Sequence, residues 1–385
     1  MILAFWTAAG LILYTYLGYP LLLWLLTLGR RVGRGRRPPE RPSVSLIVPA
    51  YNERAVLRDK LDNTFALDYP ADRLQVVVVS DGSTDGTDQV ARSYEGRPGY
   101  VFLRQEPNAG KTAAQNAAVR AATGEVLVFS DANSMYAPDA LEQLVARLDD
   151  GVGCVCGELR YTNPGGAGAG EGEGYYWRYE QFLKRRESRL GALVGANGSI
   201  YALRRELFEE LDPRIISDFI LPIRLRRRGH PVVYAPAAVA VEESARGFGQ
   251  ELRRRRRIVA RSLYGLWREA GALNPLVHPL LAFQIVSHKV VRWLVPLLLL
   301  VLLGTGVAAT AAEGEPYRTL LAAQLVLYGL ALVGGLFPRW SGRMGLFYLP
   351  AYFCAINIGA FLGLLGALRG ERHTVWKPVT RPDRD

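Results

Sequence analysis

Four stretches of this 385-residue chain carry no charged side chain: residues 1–28, 293–312, 319–338 and 344–368. About twenty apolar residues in a helix are enough to cross a bilayer core, so each stretch is a candidate span. Between the first and the second lies a segment of ordinary soluble composition, from about residue 41 to residue 268. The first stretch has no basic residue ahead of its apolar run and is too long for a signal core, which makes it an uncleaved anchor. Arg30, Arg31, Arg34, Arg36, Arg37 and Arg41 follow it directly. Basic residues beside a span stay on the cytoplasmic face, so the chain is expected to be integral to the cell membrane with its soluble part in the cytoplasm. Pro38, Pro39 and Pro42 make the connection stiff and extended.

The net charge of +11 fits this plan without a nucleic-acid partner, because the arginines gather beside the spans, where they meet anionic lipid. Three cysteines give no disulfide framework, as suits a cytoplasmic domain. Cys154 and Cys156 alternate along an apolar run and read as strand residues. Four scattered histidines show no ligand spacing, and no repeat of fixed period is present. The topology holds a conflict. One anchor and three C-terminal spans put the tail outside, yet it carries Arg369, Arg372, Lys377, Arg381 and Arg384. Either one apolar segment fails to cross, or residues 271–287, short for a span and interrupted by two prolines, cross rather than lying interfacially or re-entering.

Within the soluble segment, residues 43–49 (SVSLIVP), 74–80 (LQVVVVS) and 125–130 (EVLVFS) are short, Val-rich and apolar on both faces. A parallel sheet covered on both sides requires such runs. Helical patterns lie between them, clearest over 54–65 and 112–122. The alternation predicts a doubly wound α/β sheet, whose ligands bind at the carboxyl ends of its strands. There stand Tyr51-Asn52-Glu53, then Asp81, then Asp131-Ala132-Asn133.

Each of these has two readings. Asp81 opens the turn DGSTDGT, where a carboxylate serves a base and ribose, or where the residues simply turn the chain and cap a helix. Lys111 follows Asn108-Ala109-Gly110 and opens a helix, so ammonium and helix N–H groups face one phosphate, unless the lysine is merely exposed. Asp131 and Asn133 offer two oxygen-bearing side chains on one side of an extended segment, suited to a hard cation or to ending a strand. Asp218 stands before a helical pattern over 221–228, as a reactive carboxylate or a helix N-cap. Residues 164–174 (PGGAGAGEGEG) form a low-complexity tract, and Tyr175, Tyr179 and Phe182 follow at helical spacing.

The order VPAYNE, VSDGSTDGT, NAGKTAAQN and FSDAN resembles the family 2 glycosyltransferases, over about residues 43–268. The resemblance implies a GT-A, Rossmann-like nucleotide-binding domain joined to an α-helical transmembrane region, as in the cellulose, hyaluronan and poly-N-acetylglucosamine synthases. It implies an inverting enzyme taking a UDP-sugar, using Mg²⁺ or Mn²⁺, and serving a glycan or lipid acceptor. Tyr51, Glu53, Asp81, Lys111, Asp131, Arg254 and Arg257 would then contact the donor, with Asp131 and Asn133 at the metal. The usual metal motif ends in aspartate where this chain has Asn133. Gly195, Asn197 and Gly198 fall in the loop that seats the acceptor, and Ile216-Ser217-Asp218 matches the catalytic motif, which makes Asp218 the base. Membrane synthases carry Gln-x-x-Arg-Trp on an interfacial helix; here Arg254 replaces the glutamine, Arg257 is kept, and Ile258 replaces the tryptophan. Isoleucine removes the aromatic platform a growing glycan would use.

The expected organisation is an anchor (1–28), a basic linker (29–42), the glycosyltransferase domain (43–245), amphipathic or interfacial helices (246–288), C-terminal spans (289–368) and a basic tail (369–385). Synthesis of an extracellular polysaccharide is the leading expectation. Single transfer to a membrane lipid is the alternative, and a non-catalytic nucleotide-sugar-binding or transport protein is the competing class.

Overall fold

The computed structural model describes residues 1–30, 40–148, 151–162, 169–243, 248–337 and 345–371, with the side chains of 169–175 excepted. The basic linker past Arg30, part of the glycine-rich tract and the tail past Glu371 lie outside them. Helix α1 (Ile2–Leu26) precedes β1 (Val44–Ala50), α2 (Arg54–Phe65), β2 (Leu74–Asp81), α3 (Thr87–Arg92), β3 (Tyr100–Gln105) and α4 (Lys111–Ala121). Then come β4 (Val126–Ser130), β5 (Met135–Tyr136), α5 (Ala140–Val145), β6 (Cys154–Thr162), α6 (Ala169–Ser188), β7 (Ile200–Arg204), α7 (Ser217–Arg227) and β8 (Val232–Glu243). The chain continues through α8 (Phe248–Arg268), α9 (Pro279–Glu313), α10 (Tyr317–Leu336) and α11 (Gly345–Leu368).

The eight strands form one sheet in the order β3-β2-β1-β4-β7-β6-β8-β5. β1 pairs in parallel with both β2 and β4, and β2 with β3. Val44, Leu46 and Val48 of β1 enter one apolar cluster together with Val76, Val78, Val126 and Val128. Ile47 enters the opposite cluster with Val77, Val79, Leu127 and Phe129. This is the period of two expected of strands covered on both faces. The doubly wound expectation holds for the β3-β2-β1-β4 half. Past β4 the sheet changes character, because β7 runs antiparallel to both β4 and β6. The strand order reverses between β1 and β4, which opens a crevice at their carboxyl ends.

Among the described residues, four helices are long and apolar enough to span a membrane: α1, α9, α10 and α11. The boundary expected near residue 288 falls within a helix. Residues from Pro279 onward belong to the continuous 35-residue α9, which passes through a π-turn at Val286–Val290. At 1.5 Å per residue α9 is about 50 Å long, well beyond a ~30 Å hydrocarbon core. Its first turns stand on the sheet domain instead: Leu281 and Ile285 share the sheet's apolar cluster with Phe219 and Trp293. The seam to α1 and α6 is polar. Tyr14 Oη and Ser287 Oγ lie 2.7 Å apart, and the Tyr19 hydroxyl donates to Glu187 at 2.8 Å.

Candidate active site

Two turns at the crevice are knitted together. The Asn52 carboxamide oxygen accepts from the Thr84 amide at 2.8 Å, and the Glu53 amide donates to Thr87 Oγ1, also at 2.8 Å. Asn52 has φ +52°, a left-handed conformation that asparagine tolerates better than most residues. Tyr51 and Glu53 are thereby held half-exposed at the end of β1.

Asp81 is fully buried, and its carboxylate is already in use. It accepts from Gln105 Nε2 and the Ala109 amide at 2.8 Å and from the Gly110 amide at 2.7 Å. Asp81 thereby fixes the loop that leads into α4, alongside the base and ribose contact expected of it. Gly110 caps α4 at φ +95°, a conformation that glycine adopts without a Cβ penalty. Lys111 is thus placed at a helix N-terminus, and Thr112 Oγ1 donates to the Ile215 carbonyl at 2.8 Å, tying α4 to the segment before Asp218.

The charged centre lies where α4, β4, α7 and the 195–199 loop meet. Lys111 Nζ pairs with Asp131 Oδ1 and lies 3.4 Å from the Gly198 carbonyl. The Ala196 amide donates to the Asp218 carbonyl at 2.8 Å. A Cβ on Gly198 would stand 3.0 Å from Asp218 Oδ2 and 3.1 Å from Lys111 Nζ, so the glycine leaves the gap between carboxylate and ammonium open. α7 starts at Ser217 and its Ile216 cap makes no side-chain cap bond, so Asp218 is not spent as an N-cap. Burial pushes the Asp218 carboxyl above the ordinary aspartate range. Lys111 opposes that shift, and the negative charge of Asp131 adds to it.

The Asp131–Asn133 segment is a tight turn, in which the Ser134 amide donates to the Asp131 carbonyl at 3.2 Å, and not the extended run expected. Both side chains stay partly exposed around buried Ala132. A cation already sits on Asp131 in the form of the Lys111 ammonium, and the Asn133 amide oxygen is a hard donor two residues on. That chemistry fits a divalent ion, although no group of three or more His, Cys, Asp or Glu able to hold one exists among the described residues.

Asn197, expected in the acceptor loop, is held by the protein. It is buried, its amide oxygen pairs with Lys184 Nζ, and its Nδ2 donates to the Gly157 carbonyl at 2.7 Å. It anchors the loop; Gly195 and Gly198 are the members that lie against Asp218. Arg254 is likewise engaged, donating to Tyr161 Oη at 3.2 Å and pairing with Glu251 at 3.4 Å. Arg257 makes no hydrogen bond or ion pair among the described residues. Burial and the neighbouring Arg254 lower its pKa, while Asp131 is close enough to oppose the shift. A half-buried guanidinium that pairs with no described residue is suited to receive an anion.

Several members of the site escaped the sequence reading. Glu242, at the end of β8, is buried and accepts from both Ser134 and Ser199, while Ser199 Oγ also lies 3.3 Å from Asp131 Oδ2. Burial raises the Glu242 pKa, and the charge of Asp131 adds to the effect. Lys60 donates to the Ser134 carbonyl at 2.6 Å from a fully buried position; burial lowers its pKa to about 7 against the opposing pull of Asp131 and Glu242. Arg261, on α8, donates to the carbonyls of Pro213 at 3.0 Å and Arg214 at 3.2 Å, which steadies the approach to Asp218. The available signal for Lys60 was its place on the apolar stripe of α2 beside Leu57, Leu61 and Thr64.

Residues 45–212 match the model of glycosyl transferase family 2. An N-acetylglucosaminyltransferase of Bradyrhizobium elkanii is 35% identical over 126 residues, covering 32% of this chain and 69% of that protein. The probable glycosyltransferase YdaM of Bacillus subtilis (strain 168) is 29% identical over 219 residues, covering 53% of this chain and 51% of that one. The chain thus spans about half the length of the first curated relatives it matches. Among solved structures, the mannosyltransferase PcManGT from Pyrobaculum calidifontis, in complex with GDP-Man and Mn²⁺, is similar with a TM-score of 0.71 and 26% identity. That similarity covers 94% of this chain and 98% of the other.

Proposed function

We propose, from the premise that the chain belongs to glycosyl transferase family 2, that it is a membrane-integrated inverting enzyme moving a sugar from a nucleoside-diphosphate sugar to a hydroxyl acceptor. The observation that carries this reading is Arg257, which pairs with no described residue, beside the Lys111–Asp131–Asp218 cluster. It supplies a place for a diphosphate, with a partly exposed carboxylate of raised pKa across a gap kept open by Gly198.

In this reading Lys111, the N-terminus of α4 and Arg257 bind the diphosphate. Asp131 and Asn133 would hold a divalent ion, which supplies charge neutralisation at the leaving diphosphate. Asp81 keeps the α4 loop rigid, and Tyr51 and Glu53 border the nucleoside. Asp218 takes the proton of the acceptor hydroxyl as the new bond forms at the anomeric carbon and the bond to diphosphate breaks. A carboxyl with a raised pKa is a stronger base than an ordinary aspartate, and such assistance typically contributes roughly 100- to 10,000-fold. The acceptor lies along Gly195 and Gly198. The catalytic domain is cytoplasmic, and the product is an extracellular glycan or its lipid-linked precursor.

Two donor readings have separate support. The N-acetylglucosaminyltransferase relatives favour a UDP-sugar. The near full-length similarity to a mannosyltransferase holding GDP-Man favours a GDP-sugar. Purified protein in lipid, screened over UDP- and GDP-sugars with Mn²⁺ and Mg²⁺, separates them. Metal-dependent release of one nucleoside diphosphate, abolished by a chelator and restored by metal, is the expected result. Absence of turnover with every donor and a lipid-extract acceptor, in protein shown to be folded, would move the chain to the binding-protein class.

A further inference from the structure

We infer that α11 does not cross the bilayer: it lies on the membrane surface against the arginine helix α8, so the chain crosses three times and its C-terminal segment is on the catalytic side. By composition α11 is as good a span as the others. Its surroundings differ. Half of its most apolar window is buried inside the protein, against 17–22% for the other three helices.

The second half of α11 is seated on α8 by two glycines. A Cβ on Gly359 would stand 2.8 Å from the Leu252 carbonyl, and one on Gly363 would stand 2.8 Å from the Arg256 carbonyl. The pairing advances by four residues on each helix, so the two run side by side in the same direction. Ala360 and Leu364 join the apolar cluster that contains Phe129 and Tyr201 of the sheet. Just past the helix, Glu371 closes the pairing with an ion pair to Arg256 at 2.5 Å.

α8 cannot accompany α11 through lipid. It carries Arg253–Arg257 in succession, and its cations reach Tyr161, Tyr176 and the carbonyls before Asp218, which belong to the catalytic domain. Each such charge at a bilayer centre costs several kcal/mol at the least. Whatever half of α11 is bound to α8 is therefore outside the hydrocarbon. From Gly345 to Gly359 the remaining helix extends only about 21 Å at 1.5 Å per residue, short of the ~30 Å core.

The other three helices share a remote end that α11 does not join. There Phe5 of α1, Ala309 of α9 and Tyr317 of α10 pack together, and Trp6 Nε1 donates to Tyr317 Oη at 3.3 Å. The ring contacts of α11 are with Tyr16, Tyr176 and Phe248, and Gly334 at the returning end of α10 abuts its Phe347 and Ala351. Tyr16 in turn lies against Tyr179 of α6, on the domain side. Three crossings remove the conflict in the sequence: Arg369, Arg372, Lys377, Arg381 and Arg384 then share a side with Arg30 to Arg41. Leu346 and Leu349, neighbours on one side of α11, are exposed and meet the lipid surface itself.

Single-cysteine variants of the full chain, made with Cys154, Cys156 and Cys354 replaced by alanine, test this in sealed vesicles with a membrane-impermeant maleimide. Asp72→Cys reports the catalytic side and Glu315→Cys, between α9 and α10, the remote side. Arg384→Cys is expected to label with Asp72→Cys, and only after permeabilisation wherever that control requires it. Labelling of Arg384→Cys together with Glu315→Cys would overturn the inference, because it requires a fourth crossing. A fluorescent protein or alkaline phosphatase fused after residue 385 gives a second readout that does not depend on cysteine chemistry, with fluorescence and no phosphatase activity expected in a bacterial host.

Discussion

Gly198→Ala adds one methyl group at the most crowded point of the charged centre. The new Cβ would lie 3.0 Å from Asp218 Oδ2 and 3.1 Å from Lys111 Nζ, both inside ordinary van der Waals separation. The backbone at Gly198 is not in the left-handed region, so alanine brings no conformational strain and the effect is one of contact. Relief requires a few tenths of an ångström of movement by the carboxylate or the ammonium. Misplacement of a catalytic group by about 1 Å costs roughly 100-fold, so a smaller shift should cost about tenfold in kcat/KM, or about 1.4 kcal/mol of transition-state stabilisation. Folding stability should change by less than about 1 kcal/mol. Radiolabel transfer from donor to product gives the rate, and thermal unfolding in detergent or lipid gives the stability. A rate within twofold of wild type would refute the geometry, since the methyl group would then have space the structure does not leave. A large loss of stability with a normal rate per folded molecule would make the glycine a packing residue.

The other expectations follow from the same centre. Arg257→Ala should weaken nucleoside-diphosphate binding by about 10- to 100-fold, the worth of one charge-assisted hydrogen bond, whereas Arg254→Ala, already spent on Tyr161 and Glu251, should change it less; calorimetric titration compares them. Arg261→Met strips donors from the Pro213 and Arg214 carbonyls and should lower stability by about 1–3 kcal/mol, read by denaturant unfolding, with a fall in kcat that Arg261→Lys partly rescues. Because burial raises the Asp218 pKa, the base is lost as pH falls through that raised value, so the acid limb of kcat/KM should lie above the ordinary aspartate range. An acid limb at the usual aspartate position would remove Asp218 from the base role.

Much of this was legible in the sequence because it depended on local pattern. Val-rich runs bounded by polar residues gave β1, β2 and β4 within a residue, and α2 matched at both ends. Strand-end acids placed Asp81 and Asp131 on the crevice because a parallel sheet leaves no other place for them. What the sequence did not reveal was non-local. Glu242 reaches Ser199 only through the pairing of β8 with β6, and Asn197 is consumed by Lys184, which arrives from α6. Nothing in the turn of Asp81 announces that the 109–110 amides fold back onto it. The number of crossings was equally hidden: hydropathy measures what a helix is made of, whereas the fate of α11 depends on two glycines fitting the backbone of a helix about a hundred residues earlier.

Asp218 as the base of sugar transfer is the central claim, and the most direct test compares wild type with Asp218→Asn in lipid, measuring labelled sugar transfer and donor binding on the same preparations. Transfer by wild type, with loss of transfer but retained donor affinity in Asp218→Asn, is the expected result. Transfer by Asp218→Asn at close to the wild-type rate would contradict the account and send the search for the base to another carboxylate.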